Sequence, residues 1–510
     1  MPTPQQELAE ALQRVRKKAI GEVVRGPDLA EKDRRMLAKR GFLVPIIKGW
    51  YALTTPQAEA GDTTFWQGHF WGFASAYLRH RFGTAYCVSA ENSLDLWTGH
   101  TRMPSQLVIN AGRTGSFTLE LPNGTSFLFY SDPDNLPAET EIRFGVQVMP
   151  AALALVRASP AFFRLSPTAA EIALRLVRPD DLSRILLGEV RYRAAAGRLI
   201  GAFRHCGLNE TAERLEADLR AAALDFKETD PFDSPPHLPA SLLFSSPHVG
   251  RMKALWEQMR PVVAERFPEP PGRPDAASYL RQVEEIYTRD AYNSLSIEGY
   301  HVTPEMIGRI ASGAWNPEEN QGDQQQRDAM AAKGYREAFL LVKKSVGDVL
   351  AGEEAPKVVN RDLPEWYRAL FSPSVRAGLL PAFALAGYRN RAVFIRGSDH
   401  VPPMSEAVAE LMDSLFALLD GEKHPGVRAV LGHFFLGYIH PYPDGNGRIG
   451  RFVMNALLAD GGYPWTVVRL DKRAEYLAAL EQASVGQNIE PFTLFIMAEM
   501  AASAALKSNR

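Results

Sequence analysis

Cysteine is nearly absent from this chain: Cys87 and Cys206 are the only two in 510 residues. One distant pair builds neither a disulfide-stapled scaffold nor a cysteine-based zinc site. Long apolar runs are missing as well. No stretch approaches the ~20 residues that a membrane-spanning helix needs, and the opening Met1-Pro2-Thr3-Pro4-Gln5-Gln6-Glu7 lacks the apolar core of a secretory signal. No membrane partner is expected, and the cytoplasm is the expected location. An overall charge of one sign is lacking too, since 57 Lys and Arg face 59 Asp and Glu for a net charge of −2. That balance hides a local one. Residues 1–50 hold eleven Lys or Arg against six Asp or Glu, a basic excess that points to a polyanion partner. At 510 residues about two to four domains are expected, and a hydrophobic content of 46% is enough for proper cores.

Four prolines, Pro231, Pro235, Pro236 and Pro239, cluster with Asp and Ser in 227–248 and mark a linker. The chain is therefore read as multidomain, with an α+β N-terminal half and a C-terminal half that is all-α apart from a small hairpin. The expected segments are 1–60, 61–226 ending in helices, the linker 227–248, and a C-terminal domain over 249–505.

The densest chemistry lies in His440-Pro441-Tyr442-Pro443-Asp444-Gly445-Asn446-Gly447-Arg448-Ile449-Gly450-Arg451. Upstream, Val430, Leu431, Phe434, Phe435 and Tyr438 keep helical spacing until Pro441 forbids continuation, so His440 stands where a helix stops. Downstream, Ile449, Phe452, Val453, Ala456 and Leu457 resume the period, which puts Gly447 near a helix start whose first N–H groups have no partner. Gly445 and Gly447 let backbone approach an anion at that positive dipole end. Arg448 and Arg451, three apart, share a helical face and can grip phosphate oxygens in pairs. Asp444 alone cannot cage a metal, but Mg²⁺ takes one or two carboxylates together with substrate phosphates. His440 is the side chain best matched to taking a proton from a hydroxyl near neutral pH. A glycine-rich turn with a capping histidine and two solvated arginines would share this composition, but long motifs with many fixed positions seldom arise by chance.

The segment resembles the Fic motif, His-Pro-Phe-x-Asp/Glu-Gly-Asn-Gly-Arg-x-x-Arg, at every demanded position except Tyr442, which replaces phenylalanine. The resemblance implies transfer of AMP from ATP to a Ser, Thr or Tyr hydroxyl of a target protein. It implies His440 as base, Asp444 as Mg²⁺ ligand, and nucleotide phosphates held by Gly445, Asn446, Gly447, Arg448 and Arg451.

A second element lies upstream, where Leu280, Val283, Ile286, Tyr287 and Leu295 predict a helix over 276–298 with Gly299 as its stop. Glu298 is misplaced there, because an anion in the last turn opposes the helix dipole and calls for a distant cation. Ser294 to Gly299 resembles the family's inhibitory motif, Ser/Thr-x-x-x-Glu-Gly/Asn. The resemblance implies that Glu298 pairs with Arg451 and denies it to the γ-phosphate. An ordinary exposed glutamate in a frayed turn is the plainer alternative.

Between these, Gly387 to Pro403 reads as strand and turn. It resembles the family's flap, a hairpin that docks the target by strand addition, with Ile395 and His400 near the nucleotide. By the same resemblance Tyr476 is expected beside the adenine, whereas Ser484 stands where many members have asparagine, which leaves ATP versus another nucleotide open.

At the N-terminus, Leu8, Leu12 and Val15 mark one helix, Asp28-Leu29-Ala30 a short second, and Glu31 to Arg40 a basic third closed by Gly41. Strands at Leu43–Ile47 and Trp50–Leu53 around Lys48-Gly49 follow, in the order of a winged helix. Arg25 to Tyr51 resembles the winged-helix part of AbiEi-type abortive-infection antitoxins, which implies DNA contacts from Arg34, Arg35, Lys39 and Arg40. A solvated basic helix on a protein-binding module carries the same charges. The leading expectation is a self-inhibited protein AMP transferase with ATP as substrate. The alternatives are a DNA-binding regulator that uses the Fic half as a nucleotide sensor, or an enzyme that removes AMP. Oligomeric state, including a homo-oligomer, stays open.

Overall fold

In the computed structural model, residues 3–54, 63–112, 115–189, 192–319 and 326–508 are described. The expected boundary at residue 60 therefore lies outside the described residues. The chain forms two compact units, Met1–Ala254 with Phe394–Val401, and Leu255–Val393 with Pro402–Arg510.

The N-terminal unit begins with the helix Pro4–Arg16, started by a capping box between Thr3 and Gln6. Strands β1 (Val23–Arg25), β2 (Leu43–Ile47) and β3 (Trp50–Leu53) form an antiparallel sheet in the order β1-β3-β2. Between β1 and β2 lies the helix Glu31–Lys39. The short helix expected at Asp28 to Ala30 is absent. Pro27 supports only a 3-10 turn, Gly26–Asp28, and the chain is extended at Leu29 and Ala30 before the next helix starts. Ala11, Val15, Val24, Leu37, Leu43 and Leu53 form the core of this module.

After the helix Thr63–Phe82, β4 (Tyr86–Val88), β5 (Gln106–Ala111), β6 (Phe117–Glu120) and β7 (Ser126–Tyr130) make a sheet in the order β4-β5-β7-β6, parallel only between β5 and β7. Phe70, Phe73, Phe127 and Phe129 are fully buried against one another. A hairpin, β8 (Glu141–Arg143) and β9 (Val146–Val148), leads into helices from Ala151 to Ala221. The proline-rich 227–248 segment is a strap rather than a tether. Its His237 and Leu238 N–H groups donate to the buried Glu171 carboxylate at 2.7 and 2.9 Å, and Phe232 and Leu238 are buried. The division between units falls after Ala254, inside the helix Pro247–Arg266.

The C-terminal unit contains no strand among the described residues. Its centre is the antiparallel pair Pro425–Ile439 and Asn446–Asp460, apolar and buried on almost all sides. Helices with apolar residues all round belong in a core. The helices Arg327–Leu350 and Ala355–Arg376 pack against Asn446–Asp460, Ala276–Ile297 packs against Arg327–Leu350, and Arg473–Ser484 and Glu490–Ser508 pack against Pro425–Ile439. Thr303 caps the helix Pro304–Ala311 by accepting from the Met306 N–H at 3.2 Å. No described helix is long and apolar enough to cross a membrane.

Candidate functional site

Pro441 stops the Pro425–Ile439 helix, and His440 ends it in the left-handed region at φ 52° and ψ 59°. Non-glycine residues rarely adopt this conformation, and it is retained only where surroundings enforce it. The enforcing group is Arg389. Its guanidinium is buried and donates to the carbonyls of His440 (2.8 Å), Ile439 (3.3 Å) and Arg391 (3.0 Å), and also to that of Pro403. Burial lowers the pKa of Arg389 to about 10, still far above neutrality. The His440 Nδ1 atom lies 3.3 Å from the Gly437 carbonyl, which can only accept. Nδ1 therefore carries the hydrogen, and Nε2 presents its lone pair. Burial pulls the His440 pKa down to about 4, so the ring is neutral at pH 7.

The turn after His440 is tied internally. Tyr442 N–H donates to Asn446 Oδ1 at 2.9 Å, and Asn446 Nδ2 donates to the Tyr442 carbonyl at 2.8 Å. The Tyr442 ring stacks on Tyr367 at 3.9 Å, so tyrosine fills the place of the motif phenylalanine. Gly445, at φ +82°, precedes the Asn446–Asp460 helix, and no side chain caps that N-terminus. Its leading N–H groups can therefore face an anion. The exposed Asp444 carboxylate accepts from the Gly445 N–H at 2.6 Å.

Both motif arginines are buried. Arg451 donates through Nε to Ser294 Oγ at 2.9 Å, and through Nη2 to the Ser294 carbonyl at 3.0 Å and to Glu298 Oε1 at 2.7 Å. Burial works against its charge, but Glu298 together with Tyr476 and Tyr335 outweighs that effect and raises the Arg451 pKa. The cation that Glu298 demands is thus Arg451, reached across 153 residues of sequence. The helix end that delivers Glu298 has the bonding of a Schellman motif, with Gly299 at φ +82° donating to Ser296 and Tyr300 donating to Leu295. Gly447 makes room for the carboxylate, because a Cβ there would sit 2.2 Å from Glu298 Oε1.

Tyr476 is buried, its hydroxyl 2.7 Å from His433 Nε2 and its ring against Phe492 and Phe495, rather than presenting a face to solvent. The Ser484 hydroxyl donates back to the Leu480 carbonyl of its own helix at 2.9 Å. The 387–403 segment forms no hairpin of its own. Its central part groups with the N-terminal unit, where Val401 N–H donates to the Thr101 carbonyl at 2.8 Å and Gln67 Nε2 to the Ser398 carbonyl at 2.7 Å. Ile395 and His400 belong to that unit, His400 buried and joined to Arg102 by an isolated β-bridge. Arg35, Lys39 and Arg40 are exposed, and Arg34 is half-buried. Sequence reasoning passed over Arg389 as a site residue, since an arginine among Tyr388, Asn390 and Arg391 reads as solvated.

The Fic/DOC family matches residues 360–458. A "Protein adenylyltransferase Fic" of Nematostella vectensis is 31% identical over 224 residues, 42% of this chain and 47% of that one. One of the same name from Drosophila ananassae is 39% identical over 227 residues, covering 43% of this chain and 41% of that one. The chain spans less than half the length of the curated relatives it matches. Among solved structures, Fic-1 (aa134–508) from C. elegans is 18% identical, covers 68% of this chain and 94% of that one, and has a TM-score of 0.38. The His440 to Arg451 turn lies within the residues that match the Fic/DOC family.

Proposed function

We propose that this protein transfers AMP from ATP to a hydroxyl of a target protein and that Glu298 holds it in check. The observation that carries the reading is one turn with a neutral imidazole, an uncapped helix N-terminus and two buried guanidiniums, one of them engaged by a carboxylate at 2.7 Å. His440 Nε2 takes the proton of the target hydroxyl as its oxygen forms a bond to the α-phosphorus. The bond from that phosphorus to the β-phosphate's bridging oxygen breaks, and pyrophosphate leaves. Arg448, Arg451 and the N–H groups of the helix start balance its charge, donors fixed in place before charge develops. Asp444 suits the single-carboxylate role in a Mg²⁺ site, since its side chain is exposed and Mg²⁺ draws its other ligands from water and phosphate. Bound there, the ion would neutralise phosphate charge. Among the described residues no cluster of three His, Cys, Asp or Glu could hold a metal unaided. Relatives named protein adenylyltransferase support the same reaction class.

The test is label transfer from α-labelled ATP to the protein and to a lysate by Glu298→Gly, with His440→Asn in that background as control. Asparagine tolerates the left-handed conformation of residue 440, so the control removes the base without straining the turn. Label that depends on His440 is expected, and label that persists in the double variant sinks the mechanism. A second reading, that the N-terminal module binds DNA, draws on the exposed Arg35, Lys39 and Arg40 beside a helix–strand–helix–hairpin order. Affinity for duplex DNA that falls steeply with salt would support it, and salt-independent binding or none would end it.

A further inference from the structure

Arg448 is 1% exposed, yet among the described residues its Nε and Nη2 have no hydrogen-bond partner; Nη2 lies 3.5 Å from Asp444 Oδ2. A buried guanidinium with unmade hydrogen bonds is costly, and it persists where something holds it and an anion completes it. The holding groups are aromatic. The Arg448 guanidinium carbon is 5.0 Å from the ring centroid of Tyr300 and 5.0 Å from that of Phe371, both buried. Phe371 also packs on Gly445, where a Cβ would meet its ring at 2.8 Å. Ring contacts of this kind attract the cation while leaving its in-plane N–H edges free for oxygen.

Tyr300 is two residues past Glu298, in the same Schellman turn, so its N–H on the Leu295 carbonyl at 3.1 Å fixes where the ring begins. The turn therefore reaches both motif arginines, Glu298 with a carboxylate on Arg451 and Tyr300 with an aromatic face on Arg448. These contacts have opposite chemistry. The carboxylate competes with phosphate for Arg451, whereas the ring is uncharged and competes with nothing. A second guanidinium, that of the exposed Arg327, lies 4.6 Å from the same ring centroid, which adds positive charge beside the turn.

We infer that Tyr300 is a positioning residue for nucleotide phosphate. It presents the Arg448 guanidinium, with Phe371, in the orientation that binds the polyphosphate, so the inhibitory turn both blocks one arginine and supports the other. This rests on the transferase reading for the identity of the ligand. It carries a consequence for activation: relief of inhibition must rotate the Glu298 side chain off Arg451 while the turn stays, because withdrawing the helix end would release Arg448 as well.

The experiment is equilibrium binding of ATP and of adenosine to the full chain carrying Glu298→Gly, alone and with Tyr300→Leu, Tyr300→Phe or Phe371→Leu. Tyr300→Leu is expected to weaken ATP about tenfold and leave adenosine unchanged, Tyr300→Phe to restore ATP to within about twofold because the ring face remains, and Phe371→Leu to follow Tyr300→Leu. A merely structural role would weaken both ligands together, and that result overturns the inference, as does equal ATP affinity for the Leu and Phe variants. If Tyr300→Leu does not fold, Phe371→Leu carries the same comparison. Binding does not require transfer: ATP bound tightly without label transfer sinks the transferase reading and leaves this inference testable, while no ATP binding by the Glu298→Gly parent sinks both.

Discussion

Removing the Glu298 carboxylate should move activity and stability in opposite directions, and the size of each follows from the geometry. Glu298 Oε1 accepts from Arg451 Nη2 at 2.7 Å, with the arginine 4% and the glutamate 28% exposed by side chain. Hydrogen bonds between charged groups contribute about 1.5–3 kcal/mol, so a γ-phosphate that must first displace this carboxylate loses roughly 10- to 150-fold in productive occupancy. Glu298→Gly should raise transfer from α-labelled ATP by a factor in that range. Glu298→Gln keeps the shape and a neutral acceptor worth about 1 kcal/mol, which leaves about fivefold inhibition in place. The three proteins should therefore rank wild type, Gln, Gly. Stability should fall. Breaking a fully buried pair costs about 3–5 kcal/mol, but water reaches Glu298 and Arg451 keeps both Ser294 bonds, so about 2 kcal/mol by urea unfolding is expected. Equal transfer rates for wild type and Glu298→Gly, with the stability loss present, would refute the competition argument and leave the ion pair a structural strut.

Four further outcomes are expected. Gly447→Ala would place a Cβ 2.2 Å from Glu298 Oε1, so it should destabilise the wild type but much less the Glu298→Gly protein, giving a coupling of at least about 1 kcal/mol in a double-mutant urea cycle. Burial lowers the pKa of His433 to about 3 and of His440 to about 4. The unfolded chain binds these protons near pH 6.5, so their stability contribution is complete above that pH and is lost as pH falls toward 4. At pH 5.5 each should cost about 1.4 kcal/mol relative to pH 8, and His440→Asn should remove one such increment from the urea-unfolding pH slope. Arg389→Lys has three donors on one ammonium for the four carbonyls that the guanidinium serves, so kcat of the Glu298→Gly protein should drop more than about tenfold with KM for ATP little changed; a change confined to KM would contradict the assigned role in holding His440. Tyr442→Phe should shift stability by less than about 0.5 kcal/mol, because the stack on Tyr367 survives it.

The turn from His440 to Arg451 was legible in the sequence because its limits are set by local chemistry. Pro441 must end a helix, and an apolar period that resumes at Ile449 must start one, whatever surrounds them. Glu298 was half legible. Its conflict with the helix dipole announces a distant cation, but composition names no partner, and Arg451 came from the resemblance. Arg389 and Tyr300 were illegible for a shared reason: their partners are carbonyls and a guanidinium contributed by sequence-distant segments, and neither residue type at those positions violates a local rule that would draw attention. Tyr476 was named only through the resemblance, and the bond of its hydroxyl to the buried His433 is an interaction no linear pattern exposes.

The N-terminal half divides along the same line. The strands Leu43–Ile47 and Trp50–Leu53 lie where their β-branched and aromatic runs predict, since two short apolar runs around Lys48-Gly49 can close on each other without outside help. Strand β1 was invisible because three residues, Val23–Arg25, have no period to read and become a strand only by pairing with Trp50, Tyr51 and Ala52. The 387–403 segment extends the argument to length. Its β-rich centre, Val393 to Ile395, predicts a hairpin only if both arms find each other. Instead Phe394–Val401 takes its backbone partners from Thr101 and Arg102, nearly 300 positions away. A strand propensity is a demand for hydrogen-bond partners and says nothing of which chain segment supplies them. The proline-rich 227–248 segment follows the same logic, because its His237 and Leu238 N–H groups are satisfied by the buried carboxylate of Glu171, 66 and 67 positions away.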